Sequence, residues 1–100
     1  MYGLIIEHRT LPGKRDALRK TWDALMQPAI AANPDHISYA YSFGQDADVV
    51  IAFQAYSSQT AAQAFLDHPS YLEYLARSRP YLAGDPKITQ LDVQWLKPAA

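Results

Sequence analysis

The first stretch of apolar residues in the chain has the character of a strand. Tyr2 to Arg9 is short, β-branched and apolar until Glu7. It stops at Leu11-Pro12-Gly13, a run of residues that is typical of a turn. The pattern predicts strand one.

From Lys14 the apolar residues follow a helical period, with charged residues on the other faces. They recur at spacings of four, three and four: Leu18, Trp22, Leu25 and Ala29. This spacing predicts a helix from about Lys14 to Ala32, in which Pro28 favours a kink or an early end.

Two further strands follow a loop at Asn33-Pro34-Asp35. His36 to Phe43 alternates and predicts strand two. One of its faces carries Ile37, Tyr39, Tyr41 and Phe43. A hairpin-like connection leads to strand three, Asp48 to Tyr56, where Val49, Val50, Ile51 and Phe53 form a nearly continuous apolar run. Such a run predicts a central strand that is apolar on both faces.

The remaining chain predicts a second helical region and a last strand. Ser57 and Ser58 are candidate N-caps for the helical region. Its apolar side keeps a helical spacing across Pro69: Ala61, Phe65, His68 and Leu72. Pro69-Ser70 is expected to restart the helix, which then runs toward Arg79. Lys87 to Leu96 predicts strand four, with one side made of Leu91, Val93 and Trp95.

The order β, α, β, β, α, β predicts an α+β, ferredoxin-like fold. In it, one antiparallel four-stranded sheet carries both helices on one face. One hundred residues make one domain, so residues 1–100 are expected to form it alone. Two helices can cover only one face of strand three, so we expect the other face to pair with a second copy of the chain in a homodimer.

Composition excludes several classes of function. The formal net charge is -1, from 9 basic and 10 acidic residues, which predicts neither a nucleic-acid partner nor an anionic membrane partner. There is no cysteine, so disulfides, thiol nucleophiles and thiolate metal sites are excluded. The N-terminal sequence has no basic region typical of a signal peptide, and a cytoplasmic protein is expected.

Three segments carry a resemblance to a known family. They are Leu11 to Leu18, with the run Leu-Pro-Gly-Lys, Ala52 to Ser58, and Ala64 to Tyr71, with His68 just before Pro69. Together they resemble the antibiotic biosynthesis monooxygenase superfamily of dimeric α+β barrels. The resemblance implies a homodimer with a pocket in each subunit between sheet and helices. It also implies kinship with cofactor-independent monooxygenases that oxidise quinols or aromatic phenols.

Heme degradation, a second activity in the superfamily, is disfavoured by this sequence. His8 stands near the position where the heme-degrading branch carries an asparagine. Arg77 stands near the position of its heme-binding histidine, and arginine cannot supply a neutral imidazole ligand. We therefore expect no cofactor.

The three histidines are His8, His36 and His68. They form no HxH or HxxxH pair, and no metal site is expected. His68 is the best candidate for a catalytic base, because it follows Phe65 by one helical turn and could point toward the sheet. Equally, it could cap the helix before Pro69. His8 has a possible pocket role on strand one, and His36 is expected to be solvated.

Aromatic residues are candidates for holding a planar substrate. Trp22, Tyr39 and Tyr41 are the set expected around a ligand, with Phe65, Tyr71 and His8 completing the pocket. For each aromatic taken alone, a place in the core is the stronger interpretation.

Three functions follow as hypotheses. The first is a cofactor-independent monooxygenase that oxidises a small aromatic or quinol-type substrate with O2, with His68 as base or hydrogen-bond donor. The alternative is a non-catalytic dimer of the same fold that binds a small apolar ligand or serves an accessory role. An isomerisation or cyclisation by the same base is a third possibility.

Overall fold

Four strands and three helices make up the computed structural model, which describes residues 1–97. The strands are β1 (Tyr2–Arg9), β2 (His36–Phe43), β3 (Val49–Tyr56) and β4 (Lys87–Asp92). The helices are α1 (Arg15–Ala32), α2 (Gln59–Phe65) and α3 (Pro69–Ser78), and a 3-10 turn, Arg79–Tyr81, follows α3.

The strands form one antiparallel sheet in the order β2-β3-β1-β4. Buried side chains of all three helices share a single core with Val50 and Tyr56 of β3. The predicted α+β, ferredoxin-like arrangement is thus confirmed, with β3 in the interior of the sheet.

Helix α1 continues through Pro28 to Ala32, so the early end favoured by the sequence does not occur. Its buried residues are Leu18, Trp22 and Met26, each one turn from the next. Trp22 therefore lies on the face of α1 that packs over the sheet.

The second helical region is two helices, as the restart at Pro69 predicts. Ser58 caps α2, because its Oγ accepts a hydrogen bond from the Ala61 N–H at 3.0 Å. The helical period of α2 does not continue into α3, however. Tyr74 and Ser78 are the buried residues of α3, whereas Leu72 is 52% exposed. A spacing counted across Pro69 therefore assigned Leu72 to the wrong face.

Strand β4 ends at Asp92 rather than at Leu96, because its antiparallel partner β1 begins opposite that residue. Asp92 pairs with Tyr2, and Val93 donates its N–H to the Met1 carbonyl at 2.8 Å. Trp95, three residues beyond the end of β4, is 76% exposed.

One irregularity in β2 changes which residues face the helices. The pairing of β2 with β3 shifts register between His36 and Ser38. The shift places His36 on the same side as Tyr39, while Ile37 is exposed. The predicted alternation therefore fails at Ile37 and holds from Tyr39 onward.

The sheet face that points away from the helices is apolar at its centre. Ile5 of β1 pairs with Phe53 of β3, which pairs with Ala40 of β2. Ile51 and Leu91 lie in the two neighbouring rows, and we call Ile5, Ile51, Phe53 and Leu91 the open-face patch. Val93 lies beside it over Gly3, where a Cβ atom would approach the Val93 Cγ2 to 2.6 Å. Strand β3 is thus apolar on both faces, as predicted.

Candidate functional site

An apolar cavity lies between the sheet and the helices. Its volume is about 240 Å³. Helix α3 packs mainly against α1 and the 3-10 turn, and it touches the sheet little. The space that remains above β1 and β3 is the sheet–helix cavity.

The floor of the sheet–helix cavity is set by strand register. Ala52 of β3 pairs with Ile6 of β1 on one side and with Tyr41 of β2 on the other. The small Ala52 side chain therefore leaves room at the middle of the floor, with Val50 and Gln54 before and after it on the same face.

Two polar side chains stand on opposite sides of this floor. His8 of β1 and Tyr41 of β2 both line the cavity. The His8 Nδ1 and the Tyr41 hydroxyl are buried, and neither has a hydrogen-bond partner within residues 1–97. An unpaired buried polar atom costs about 1–3 kcal/mol, so a ligand that supplies a partner there gains affinity.

An aromatic wall covers the β2 side of the cavity. The rings of Trp22 and Tyr41 lie 4.3 Å apart between centroids, and those of Trp22 and Tyr39 lie 5.6 Å apart. The Trp22 Nε1 donates a hydrogen bond to the Tyr39 hydroxyl at 3.4 Å. The wall is therefore fixed in place and presents flat apolar surface to a ligand.

The phenols around the cavity are held in their protonated form. Burial raises the pKa of Tyr39 to about 12. Burial likewise raises the pKa values of Tyr41, Tyr56 and Tyr74. These hydroxyls can donate hydrogen bonds at neutral pH, but they cannot act as bases.

His8 has the opposite character. Burial lowers the pKa of its imidazole, so the ring is neutral at pH 7. A neutral imidazole can accept a proton from a bound acid. His8 is therefore the residue lining this cavity whose side chain can serve as a base.

Gln54 and His36 form a polar group at one end of the site. The Tyr56 hydroxyl donates to the Gln54 Oε1 at 2.6 Å. The His36 ring packs on Tyr56 and Phe65, with centroids 4.3 and 4.6 Å away. The expectation that His36 is solvated is therefore wrong, because the register shift turns its ring toward the core. Burial lowers the pKa of His36, opposed in part by the Gln54 side chain and by Asp35.

His68 lies apart from the sheet–helix cavity. It is the N-cap residue of α3, and its Nδ1 accepts a hydrogen bond from the Ser70 N–H at 3.1 Å. Its ring stacks on Phe65 at 5.3 Å and lines an open groove beside the C-terminal end of α1. The structure therefore shows His68 as a helix cap, one of the two roles expected from the sequence. The other role, a catalytic base, stays a prediction.

The cavity brings together the other residues singled out from the sequence. They all line it: His8, Trp22, Tyr39, Tyr41, Phe65 and Tyr71. Their part in binding a substrate stays a prediction. Sequence reasoning missed Gln54, although a lone polar residue inside the apolar run of β3 was a visible signal. Tyr74 also lines the cavity, and it is buried rather than half exposed.

Within residues 1–97, no group of three histidine, cysteine, aspartate or glutamate residues is arranged to hold a metal ion. None of the helices in this range combines the length and the apolar character needed to cross a bilayer.

Comparison with known proteins identifies the family. The family model described as antibiotic biosynthesis monooxygenase matches residues 1–77. The chain belongs to this family. The matched range includes all six cavity residues named from the sequence, and the resemblance inferred from the three segments is confirmed. No curated protein matches the chain.

Several solved structures resemble this chain over nearly its whole length. A candidate member from Chloroflexus aurantiacus is 26% identical, with a TM-score of 0.82 over 98% of each chain. Rv0793 from Mycobacterium tuberculosis is 27% identical, with a TM-score of 0.81 over 99% of this chain and 98% of its own. A candidate member from Caulobacter crescentus has a TM-score of 0.87 at 21% identity, over 94% of this chain and 90% of its own, and it supports the fold alone.

Proposed function

We propose that this member of the antibiotic biosynthesis monooxygenase family oxidises a small hydroxylated aromatic or quinol-type substrate with O2 in the sheet–helix cavity, without a cofactor. The observation that carries the proposal is a neutral, half-buried imidazole on β1, across the cavity from the aromatic wall on the β2 side. An apolar cavity of about 150 Å³ binds benzene. A cavity of about 240 Å³ therefore suits one or two fused rings.

The placing of polar groups favours a ring with polar substituents at both ends. Neighbouring strands lie about 4.8 Å apart, so β1 and β2, on either side of β3, are separated by about 10 Å. A planar two-ring molecule lying over Ala52 spans this distance between His8 and Tyr41. Its upper face is then covered by Trp22.

The proposed reaction begins with a proton transfer. His8 accepts the proton of the substrate hydroxyl, and the resulting phenolate passes one electron to O2. The radical and superoxide combine into a ring peroxide, which loses water to form the quinone. For a hydroxyarene with hydrogen at the reacting carbon, the sum is HO–Ar–H + O2 → O=Ar=O + H2O. The substrate supplies all the electrons, and the imidazole returns the proton to the departing water.

Oxygen uptake by the metal-stripped protein tests this function. We expect uptake above the spontaneous rate with one member of a panel of hydroxynaphthalenes and reduced quinones. Ala52→Leu, which fills the floor, should abolish it, and Trp22→Phe should weaken it. His8→Gln should lower the rate about 100-fold, the lower end of the range for loss of a general base.

The alternative outcomes are distinct. Binding of panel members without oxygen uptake would mean that the chain is a ligand-binding protein and that the monooxygenase proposal is wrong. Loss of uptake in His68→Asn, with His8→Gln unaffected, would move the base to His68.

We also infer that two copies of the chain associate through the open-face patch. The helices cover one face of the sheet, and the centre of the other face carries Ile5, Ile51, Phe53 and Leu91. Polar residues surround the patch at Ser38, Ser42, Glu7 and Lys87. An apolar centre surrounded by polar residues is the usual composition of a subunit interface.

A further inference from the structure

The mouth of the sheet–helix cavity is apolar and exposed. Three apolar residues both line the cavity and face solvent, beside the exposed Gln63 of α2: Leu66 after α2, Leu75 of α3 and Ile88 of β4. They are 50%, 41% and 57% exposed, respectively. We call these three residues the rim.

The rim exists because of how the elements pack. Ile88 pairs with Ile6, so its side chain continues the cavity floor onto the edge strand β4. Helix α3 packs against α1 and does not close over β4. Cavity and rim therefore form one continuous apolar surface that passes from the interior to the outside.

The cavity is too small for both a fused ring system and a long substituent. About 240 Å³ is filled by one or two rings. Any further apolar part of a ligand must lie outside, and the rim offers it a surface that is continuous with the ring site.

Resting on the function proposed above, we propose that the substrate carries an apolar chain, and that this chain leaves the cavity across Leu66, Leu75 and Ile88. The substrate class is thus an alkyl- or prenyl-substituted hydroxyarene or quinol rather than a bare ring. The rim side chains contact one side of the chain, and its other side stays in water.

Binding of a homologous series of ligands tests this inference. The probes are 2-naphthol and 3-alkyl-2-naphthols with chains of up to six carbons, titrated by calorimetry. A chain next to the hydroxyl lies on the β1 side of the ring, toward β4 and away from Tyr41. Complete burial of a methylene is worth about 0.8 kcal/mol, a factor of about four in affinity. For a chain buried on one side, we expect the affinity to rise about twofold with each added carbon.

Variants of the rim should remove this increase and leave the ring site intact. Leu75→Gln and Ile88→Thr keep the propensity of their elements. We expect them to flatten the dependence of affinity on chain length, measured for each variant relative to its own affinity for 2-naphthol. The matched control is Leu72→Gln, because Leu72 is 52% exposed on the same helix but does not line the cavity. It should keep the wild-type dependence.

The possible failures are separable. If 2-naphthol binds and chain length has no effect, or if the rim variants keep the wild-type dependence, the inference is wrong and the ring site stands. If none of the naphthols binds, both the ring site and the inference are wrong. A change of oligomeric state in Leu75→Gln and Ile88→Thr, but not in Leu72→Gln, would assign the rim to a subunit contact and also overturn the inference.

Discussion

At the scale of single residues, half-buried histidines couple the stability of the fold to pH. Burial lowers the pKa values of His8 and His36 below the ordinary 6.5. Between its folded pKa and 6.5, each histidine binds more protons in the unfolded chain. The free energy of unfolding therefore rises with pH in that range. The contribution of the two histidines to the free energy of unfolding is complete above about pH 6.5. It is lost as the pH falls through their folded pKa values.

The variant His8→Gln removes one of these two contributions. We expect its free energy of unfolding to fall less than that of the wild type between pH 7 and pH 5. One proton accounts for at most about 1.4 kcal/mol per pH unit. Urea unfolding at a series of pH values measures the difference. Equal slopes for the two proteins would show that the His8 imidazole titrates alike in the folded and unfolded chain.

His68 offers a test that separates a cap from a base. His68→Ala removes the hydrogen bond to the Ser70 N–H and should lower the free energy of unfolding by about 1 kcal/mol. His68→Asn supplies another capping side chain, so we expect it to recover that loss and to keep any oxygen uptake. If His68→Asn is as stable as the wild type but inactive, the imidazole itself is required.

The site residues that could be predicted from the sequence are those on unbroken elements. Trp22 follows from the period of α1, and Tyr39 and Tyr41 follow from the alternation of β2. His68 follows a different rule, because capping depends on the backbone before Pro69 and not on helical period. The His36 ring faces the core because of the register shift in β2, and the alternation of side chains in the sequence does not indicate such a shift.

At the scale of elements, Pro28 inside α1 is an internal weakness of the fold. It lacks the N–H that would bond to the Ala24 carbonyl, yet the helix continues to Ala32. Proline in a helix interior is less favourable than alanine by about 3 kcal/mol. Because Pro28 is exposed, we expect Pro28→Ala to raise the free energy of unfolding, by up to that amount.

Chemical denaturation compares Pro28→Ala with the neighbouring Gln27→Ala. Gln27 is also exposed, and its change should stay within about 0.5 kcal/mol. A less stable Pro28→Ala would mean that a bend at the proline is needed for α1 to pack on the sheet.

Element order and most element bounds could be predicted from period and turn residues, and the errors have a common origin. Each concerns information that is not local to the segment. Strand β4 ends where its partner β1 begins, at the pair Tyr2 and Asp92. The buried face of α3 is set by its packing on α1, and a count across Pro69 cannot supply it.

At the scale of the whole molecule, the open-face patch predicts the oligomeric state. A sheet covered by helices on one side leaves Ile5, Ile51, Phe53 and Leu91 facing outward, and apolar patches of this kind are typical of subunit contacts. We expect sedimentation equilibrium to give twice the chain mass of 11.2 kDa. Phe53→Asp, at the centre of the patch, should give the single-chain mass, because dimerisation would bury an unpaired carboxylate.

The control for the dimer is Leu72→Asp, which adds the same charge at an exposed position of α3, away from the patch. It should sediment as the wild type does. Phe53→Asp should also keep its affinity for 2-naphthol if each subunit holds a complete site, because Phe53 faces away from the cavity. A wild type that sediments as a single chain would contradict the dimer. A dimer that persists in Phe53→Asp would place the contact on a different surface.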